Sequence, residues 1–311
     1  MKPEIRQDYI QEKYVIIAPK RGKRPYDIER PKRVKPLLKT ECFFCPAKVP
    51  TAGTAVLTIK SDKKSEPWLI KVIKNKFPAV STNNPKVYGR QEVVIETPDH
   101  LRELEDLPDS HVAKIFDAYA TRTKAISKDK QIEYILIFKN NGGKAGASLQ
   151  HAHSQIFATK FLPPHLKDKS QRTQAYKLEK GTCVYCDVID KERQGPRLIF
   201  EDKYTITFCP WAPMHNYEVW IIPKRHIDNI TMLTPPEKLS FARFLKKILK
   251  KINQLDLPYN YYFHQVIHDQ DQHLYMKITP RGSVWAGVEI GSGLIINPIS
   301  PEVATKYFKS K

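Results

Sequence analysis

Apolar residues along the chain occur in short runs of strand length, interrupted by one longer stretch with helical spacing in each half. In the first half, runs rich in β-branched and aromatic residues predict strands at 14–18, 56–59, 68–73, 93–95, 134–138 and 155–158. Within 110–127, Val112, Ile115 and Phe116 keep the spacing of a buried helical face, and Pro108 precedes them. This segment therefore predicts a helix.

The same order of elements recurs about 140 residues later, which indicates an internal repeat. Strands are predicted at 198–200, 205–208, 218–222, 259–264 and 274–278, with a helix at 236–254. The segment 162–180 between the two sets is rich in charges and contains two prolines, which is typical of a linker. The chain is therefore predicted to contain two halves, residues 1–165 and 178–311.

Four of the five cysteines form two CxxC pairs, Cys42 with Cys45 and Cys183 with Cys186, while Cys209 stands alone. In a reducing compartment such pairs indicate a metal site more often than a disulfide. A thioredoxin-like redox motif is the alternative. It is disfavoured because neither pair opens an obvious amphipathic helix after a buried strand.

Histidines occupy matching places in the two halves. His100 and His226 each follow a predicted strand, and His151 and His273 each precede a later one, with separations of 51 and 47 residues. Two thiolates and two imidazoles make the closed tetrahedral set that structural Zn²⁺ prefers. The predicted ligand sets are Cys42, Cys45, His100 and His151 in the first half and Cys183, Cys186, His226 and His273 in the second. His264 or His268 could replace His273.

The chain has 52 Lys and Arg residues against 33 Asp and Glu residues, a formal net charge of +19. This excess predicts anionic partners, either phosphorylated metabolites or nucleic acid. The basic residues are spread out rather than gathered into a basic and aromatic stripe, which disfavours a zinc-stabilised nucleic-acid-binding protein.

No run approaches the roughly 18 apolar residues of a membrane span, and the N-terminus does not resemble a signal peptide. We expect no membrane partner and a cytoplasmic location.

The two halves differ at one chemically informative place. The first half reads His151-Ala-His153-Ser-Gln155, whereas the second reads His273-Leu-Tyr275-Met-Lys277. On a strand, residues two apart share a face, so His153 and Gln155 would lie side by side. An imidazole is largely unprotonated near neutral pH and can accept and release a phosphoryl or nucleotidyl group. Gln155 could donate a hydrogen bond to the phosphoryl oxygens, and the loop 140–148 has the glycines and serine suited to a phosphate.

At these residues the sequence resembles the galactose-1-phosphate uridylyltransferase family, the transferase branch of the histidine-triad superfamily. The shared motifs run nearly end to end: DYIQEKYVIIAPKRGKRP, ECFFC, NKFPAV, PDH at 98–100, GASLQHAHSQI and AGVEIGSGLIINPISPE. The resemblance implies an α+β fold with two tandem histidine-triad-like halves, each an antiparallel sheet with a packed helix. It also implies a homodimer and ping-pong transfer of a nucleoside monophosphate between a nucleotide-sugar and a sugar phosphate.

The resemblance further implies a role for individual residues. His153 matches the nucleophile, Gln155 the residue that steadies the phosphoryl group, and Glu289 a sugar-contacting acid delivered from the partner subunit. The four ligands of the first predicted set match a zinc site. Residues that match the nucleotide- and phosphate-binding positions of the family are Arg21, Arg24, Phe43, Asn75, Phe77, Val93, Asn140 and Ser148.

Several positions depart from the pattern of many uridylyltransferases. Lys76 stands where they have an acid, Ser283 where some have a lysine, and HAHS replaces HPHG. The second CxxC with two histidines is similar to the ADP-glucose phosphorylase relatives. We expect transfer from UDP-glucose to galactose 1-phosphate, with adenylyl transfer from ADP-glucose to phosphate as the alternative. Because Tyr275 and Lys277 cannot replace His153 and Gln155, one reaction centre per chain is predicted, in the first half.

Overall fold

The computed structural model describes residues 2–23, 38–267, 269 and 271–310. Two residues named above, Arg24 and His268, lie outside these ranges. The strands are β1 (Glu4–Gln7), β2 (Tyr14–Ile17), β3 (Ala55–Ile59), β4 (Ile70–Lys74), β5 (Gly89–Ile95), β6 (Tyr134–Asn141), β7 (His153–Thr159), β8 (Leu198–Glu201), β9 (Thr205–Phe208), β10 (Val219–Pro223), β11 (Tyr259–His264), β12 (Tyr275–Pro280) and β13 (Ile295–Asn297). The helices are α1 (Val49–Ala52), α2 (Asp109–Ile126), α3 (Pro164–Lys180), α4 (Val184–Arg193), α5 (Pro235–Gln254), α6 (Gly287–Ser292) and α7 (Pro301–Lys309).

Ten strands form one continuous antiparallel sheet in the order β3-β4-β5-β7-β6-β11-β12-β10-β9-β8. The first five strands belong to the first half of the chain and the last five to the second half, in mirrored order. The sequence repeat is therefore also a repeat of structure. The halves are joined where β6 pairs with β11, with Lys139 opposite Tyr261.

Helices α2 and α5 pack against each other and cover one face of this sheet. The helix α5 begins with Pro235 at its first position and with a capping box between Thr234 and Glu237, the signals that favour a helix start. On β7, the hydroxyl of Ser154 accepts a hydrogen bond from Tyr119 of α2 at 2.6 Å. Since side chains alternate along a strand, His153 points to the opposite face of the sheet, which we call the distal face.

The segment predicted to be a linker forms the helix α3 instead. Pro164 occupies its first turn, where a missing N–H costs nothing, and Gly181 ends it with a left-handed φ of 75°. Leu166 and Thr173 are its buried residues, so its apolar periodicity is weak. The proposed boundaries at 165 and 178 stay a prediction.

A second, three-stranded sheet in the order β1-β2-β13 brings the two ends of the chain together. Arg6 of β1 binds Glu302 of α7 at 2.9 Å and lies over the ring of Trp211 at 3.9 Å. The N-terminal strands are thereby anchored to the second half. Over the described residues, the structure contains no helix with the length and hydropathy needed to cross a membrane.

Candidate active site and metal centres

The first predicted ligand set forms a compact buried cluster. One ligand atom from each of Cys42, Cys45, His100 and His151 lies within 4.8 Å of the others. The Sγ atom of Cys42 is 3.6 Å from Nδ1 of His151, and that of Cys45 is 3.4 Å from Nδ1 of His100. Tetrahedral bonds of roughly 2.3 Å to sulfur and 2.0 Å to nitrogen would separate a sulfur from a nitrogen ligand by about 3.5 Å, so the spacing suits a metal such as zinc.

The chemistry of the donors also fits a cation. Burial, together with the neighbouring Cys42, raises the pKa of Cys45 to about 11, so this thiol would keep its proton near pH 7 if no cation were bound. The Nε2–H of His151 donates to the carbonyl of Thr97 at 2.8 Å, which leaves Nδ1 free as a ligand atom. The cluster can therefore hold Zn²⁺, and its position ties the segment before β7 to the segment after β5.

The second predicted set is only partly assembled. Ligand atoms of Cys183, Cys186 and His226 lie within 4.8 Å of one another, with 3.5 Å between Sγ of Cys186 and Nδ1 of His226. The ring of His273 lies 5.0 Å from that of His226, but its ligand atoms are not part of this group. Its Nδ1–H donates to the carbonyl of Leu274 at 3.0 Å, and its buried Nε2 has no hydrogen-bond partner among the described residues. His273 as the fourth ligand stays a prediction.

The alternative fourth ligand His264 has other contacts. Its Nε2 lies 3.2 Å from the side-chain oxygen of Gln272 and 3.4 Å from the hydroxyl of Tyr185. These partners point the imidazole into the core of the second half. Of the two histidines, His273 is therefore the better placed to complete the second cluster.

His153 begins β7 and is 7% exposed. Its Nδ1 lies 2.8 Å from the carbonyl oxygen of His151, and because that oxygen can only accept, Nδ1 carries the proton. The lone pair is therefore on Nε2. Burial, with a further contribution from Lys139, lowers the pKa of His153 to about 4, so the imidazole is neutral near pH 7. This is the protonation state that a nucleophile needs.

Gln155 lies on the same face of β7, as the sequence predicted. It pairs across the strands with Val93 of β5 on one side and Phe138 of β6 on the other. Its side-chain oxygen accepts a hydrogen bond from Gln91 at 2.8 Å. The buried Val93 thus borders the predicted reaction centre directly.

The glycine-containing loop follows β6. Gly142 and Gly146 adopt left-handed φ angles of 84° and 86°, which other residues seldom tolerate. A Cβ atom on Gly142 would also lie 3.0 Å from the ring of Pro258. Asn140 lies near the end of β6, before this turn, and the exposed Ser148 lies between the turn and the predicted metal ligand His151.

The predicted base- and ribose-binding residues include two exposed aromatic rings. Phe43 is 48% exposed and lies between the two cysteines of the first cluster, and Phe77 is 84% exposed. The side-chain oxygen of Asn75 accepts from the backbone N–H of Phe77 at 2.9 Å and so fixes the turn that carries this ring. Lys76 lies 6.0 Å from the same ring.

Arg21 and Glu289 lie near each other on the surface. The backbone N–H of Ala286, at 2.8 Å, and the more distant charge of Arg21 lower the pKa of Glu289. Exposed apolar residues surround this acid: Val284, Trp285, Val288 and Ile290. The described contacts of Glu289 are with the backbone of Ala286, of its own residue and of Ile296 on β13, and with the charge of Arg21. None of them tests its role at a sugar, which stays a prediction.

The position in the second half that corresponds to His153 is filled. Val93 lies opposite Gln155 in the first half, and Trp220 lies opposite Lys277 in the second. Gln155 and Lys277 therefore correspond to each other. Two residues earlier on the same strands, Tyr275 corresponds to His153. Trp220 stacks on Tyr275 with 4.5 Å between ring centroids, and Lys277 pairs with the buried Glu218 at 2.8 Å. In the second half, a stacked aromatic pair and an ion pair therefore stand where the first half has His153 and Gln155.

Sequence reasoning missed a buried ion pair next to His153. The ammonium of Lys139 lies 2.7 Å from Glu96 and 3.1 Å from Glu103, and it also donates to the carbonyl of His153 at 3.4 Å. Lys139 is 1% exposed and Glu96 is fully buried. The sequence did contain a signal for this pair, because a charged residue directly follows each of two apolar strand segments. Lys139 follows 134–138, and Glu96 follows 93–95.

Comparison with known proteins identifies the family. The family described as galactose-1-phosphate uridyl transferase, N-terminal domain, matches residues 1–163. The chain belongs to the galactose-1-phosphate uridyl transferase family. The predicted family resemblance is thereby confirmed, and the chain is an enzyme of this nucleotidyltransferase family.

Two relatives in this family span almost the whole chain. An ADP-glucose phosphorylase of Arabidopsis thaliana is 32% identical over 330 residues, covering 99% of this chain and 92% of the relative. A galactose-1-phosphate uridylyltransferase of Thermotoga maritima is 28% identical and covers 98% of both.

Solved structures of the galactose-1-phosphate uridyl transferase family agree with the fold. An ADP-glucose phosphorylase from Arabidopsis thaliana with bound ADP-glucose has a TM-score of 0.87 at 31% identity, covering 100% of this chain and 99% of that chain. A uridylyltransferase structure has a TM-score of 0.75 at 27% identity, covering 98% and 97%. The predicted α+β fold class is confirmed.

Proposed function

We propose that the protein moves a nucleoside monophosphate from a nucleotide-sugar to a phosphate-bearing acceptor through a covalent bond to His153. The observation that carries this proposal is the 2.8 Å contact between Nδ1 of His153 and the carbonyl of His151. This hydrogen bond fixes the tautomer and the ring, so that Nε2 presents its lone pair on the distal face. Low exposure of the ring limits competition from water.

The reaction would proceed in two displacements. Nε2 of His153 attacks the α-phosphorus, the bond from phosphorus to the sugar-phosphate oxygen breaks, and that oxygen leaves with the electron pair. Nδ1–H keeps its hydrogen bond to the His151 carbonyl, which offsets the positive charge that the ring acquires. An oxygen of the acceptor phosphate then attacks phosphorus, and the electrons of the phosphorus–nitrogen bond return to Nε2.

The remaining predicted residues supply binding. Phe43 and Phe77 offer exposed aromatic rings for the base, and the buried Val93 forms an apolar wall beside Gln155. Asn75 holds the turn of Phe77. Asn140 and Ser148 flank the glycine turn and would bind phosphate oxygens, and Gln155 would donate to the transferred group.

We propose Zn²⁺ as the ion of the first cluster, bound by Cys42, Cys45, His100 and His151. It would supply structural support, since it would fix the residue whose carbonyl orients His153. A second Zn²⁺ is proposed at Cys183, Cys186 and His226, with His273 as the fourth ligand. That cluster lies in the half whose reaction-centre position is filled, which favours a purely structural role.

We also propose a homodimer. The apolar residues around Glu289, together with Arg21 nearby, form an exposed surface that a second copy could cover, and Glu289 of one protomer would then reach the sugar bound by the other. Light scattering should give twice the mass of the chain. Trp285→Ser should shift the protein toward monomer and lower transfer.

Two donors fit the reaction, and different observations favour each. The family match and the Thermotoga maritima relative support UDP-glucose with galactose 1-phosphate as acceptor. The higher identity and TM-score of the Arabidopsis thaliana proteins support ADP-glucose with phosphate as acceptor. Lys76, in place of an acid beside the base-binding turn, also separates this chain from many uridylyltransferases.

Each donor can be tested with a label on its α-phosphorus. The protein is mixed with labelled UDP-glucose or ADP-glucose without acceptor, and protein-bound label is counted. The true donor should label the wild type and the control His165→Asn, a substitution of an exposed histidine, but not His153→Ala. Equal labelling of His153→Ala would refute the nucleophile, and no label from either donor would refute both substrate assignments.

A further inference from the structure

The orientation of the Gln155 amide is set by a backbone group two hydrogen bonds away. The N–H of Ala79 donates to the side-chain oxygen of Gln91 at 2.9 Å. A backbone N–H can only donate, so the other end of the Gln91 amide must be its NH₂ group. That group donates to the oxygen of Gln155 at 2.8 Å, which leaves the NH₂ group of Gln155 available to a ligand.

The amide of Asn140 is oriented in the same way from the other half of the chain. Nδ2 of Asn260 donates to the carbonyl of Ala145 at 2.7 Å, and a carbonyl can only accept. The same Nδ2 donates to the side-chain oxygen of Asn140 at 2.7 Å. The NH₂ group of Asn140 is therefore also left available.

Both available donors belong to the distal face. Phe138 lies directly opposite Gln155 across the strands, and Asn140 follows two residues later on β6, so its side chain shares that face. His153 lies two residues before Gln155 on β7. The two NH₂ groups thus flank the nucleophile from neighbouring strands.

We infer that Gln91 and Asn260 are positioning residues that orient the amides of Gln155 and Asn140 so that both donate to the transferred phosphoryl group. This inference rests on the proposed function of His153. It identifies a contribution of the second half to the reaction centre of the first, because Asn260 lies on β11 and faces Asn140 across the β6–β11 pairing.

The repeat offers an internal comparison. The residue two positions before Trp220 is Glu218, which corresponds to Gln91 two positions before Val93. In the second half this position forms an ion pair with Lys277 instead of an amide pair. Among the described residues, this amide-to-amide contact therefore occurs in the half that carries His153.

The test reverses one hydrogen bond at a time. Gln91→Glu keeps an acceptor for the Ala79 N–H but cannot donate to Gln155, whose amide should then turn its NH₂ group toward the new carboxylate. The single-turnover rate of His153 nucleotidylation should fall about 100-fold, the effect of losing one transition-state donor, with little change in donor affinity. Asn260→Asp should act likewise through Asn140. Gln131→Glu, the same substitution at an exposed site, should keep the wild-type rate.

A double variant separates orientation from added charge. In a Gln155→Ala background, Gln91→Glu should cause no further loss, because no amide is left to orient. If the two substitutions instead lower the nucleotidylation rate by the product of their separate effects, the carboxylate repels phosphate or disturbs the fold. That result would overturn the inference. Wild-type rates for both Gln91→Glu and Asn260→Asp would overturn it as well. Failure of the proposed function would look different, since the wild type itself would not be labelled.

Discussion

Replacing Lys139 with methionine should destabilise the protein strongly. The ammonium lies 2.7 Å from Glu96, and the two side chains are 1% and 0% exposed. Methionine fills a similar volume, so the main effect is to leave Glu96 as an uncompensated buried charge. Breaking a buried pair in this way costs about 3–5 kcal/mol, and we expect a loss of that size in the free energy of unfolding, measured by urea denaturation at neutral pH and fixed zinc concentration.

Two further variants make this test specific. Adding Glu96→Gln to Lys139→Met removes the unpaired charge and should recover much of the lost free energy of unfolding. Lys238→Met is the matched control, because Lys238 pairs with Asp117 at 2.8 Å but Asp117 is 39% exposed, and such a pair contributes about 0–1 kcal/mol. If Lys139→Met costs no more than this control, the buried pair does not stabilise the fold as argued.

Three other perturbations have defined outcomes. Cys42→Ser should lower the zinc content, measured by elemental analysis, by about one ion per chain. It should also lower the melting temperature, because metal binding is coupled to folding. Unchanged zinc content would contradict the ligand assignment. Burial raises the pKa of Glu103 from 4.5 to about 7. The folded state therefore keeps a proton that the unfolded state loses, and stability should fall as pH rises from about 4.5 to about 7. Glu103→Gln should flatten this fall in melting temperature. Combining Tyr275→His with Lys277→Gln should not create a second labelled site, because Trp220 still fills the space; two labels per chain by mass spectrometry would refute this.

The CxxC pair and the shared face of His153 and Gln155 were predictable because their signals are local. CxxC brings two thiols together within one turn, and HxHxQ on a strand places His153 and Gln155 on one face. The repeat then paired Cys42 and Cys45 with His100 and His151, although they are distant in sequence. The structure brings all four together.

The partners of these residues were not predictable because they come from neighbouring strands. Gln91 and Asn260 are ordinary polar residues in the sequence, and their roles depend on cross-strand register. The joining of both halves into one sheet depends on the β6–β11 pairing, which no local pattern specifies. The helix α3 was missed because its prolines were interpreted as breakers, whereas Pro164 starts the helix.

The second metal cluster shows the limit of argument by repeat. Cys183, Cys186 and His226 assemble as the repeat predicts, but the Nδ1–H of His273 donates to the carbonyl of Leu274. The corresponding His151 instead directs Nδ1 toward the cysteines and Nε2 toward Thr97. A shared spacing therefore predicted the neighbourhood of the histidine but not the hydrogen bonds of its two ring nitrogens.

Intact-protein mass spectrometry tests the central claim most directly. The protein is mixed with the nucleotide-sugar donor alone, the adduct is located by peptide mapping, and acceptor phosphate is then added. We predict one nucleoside monophosphate per chain on His153, its loss on addition of acceptor, and no adduct on His153→Ala, which should retain its zinc. An adduct on another residue, or turnover by His153→Ala at the wild-type rate, would contradict the account.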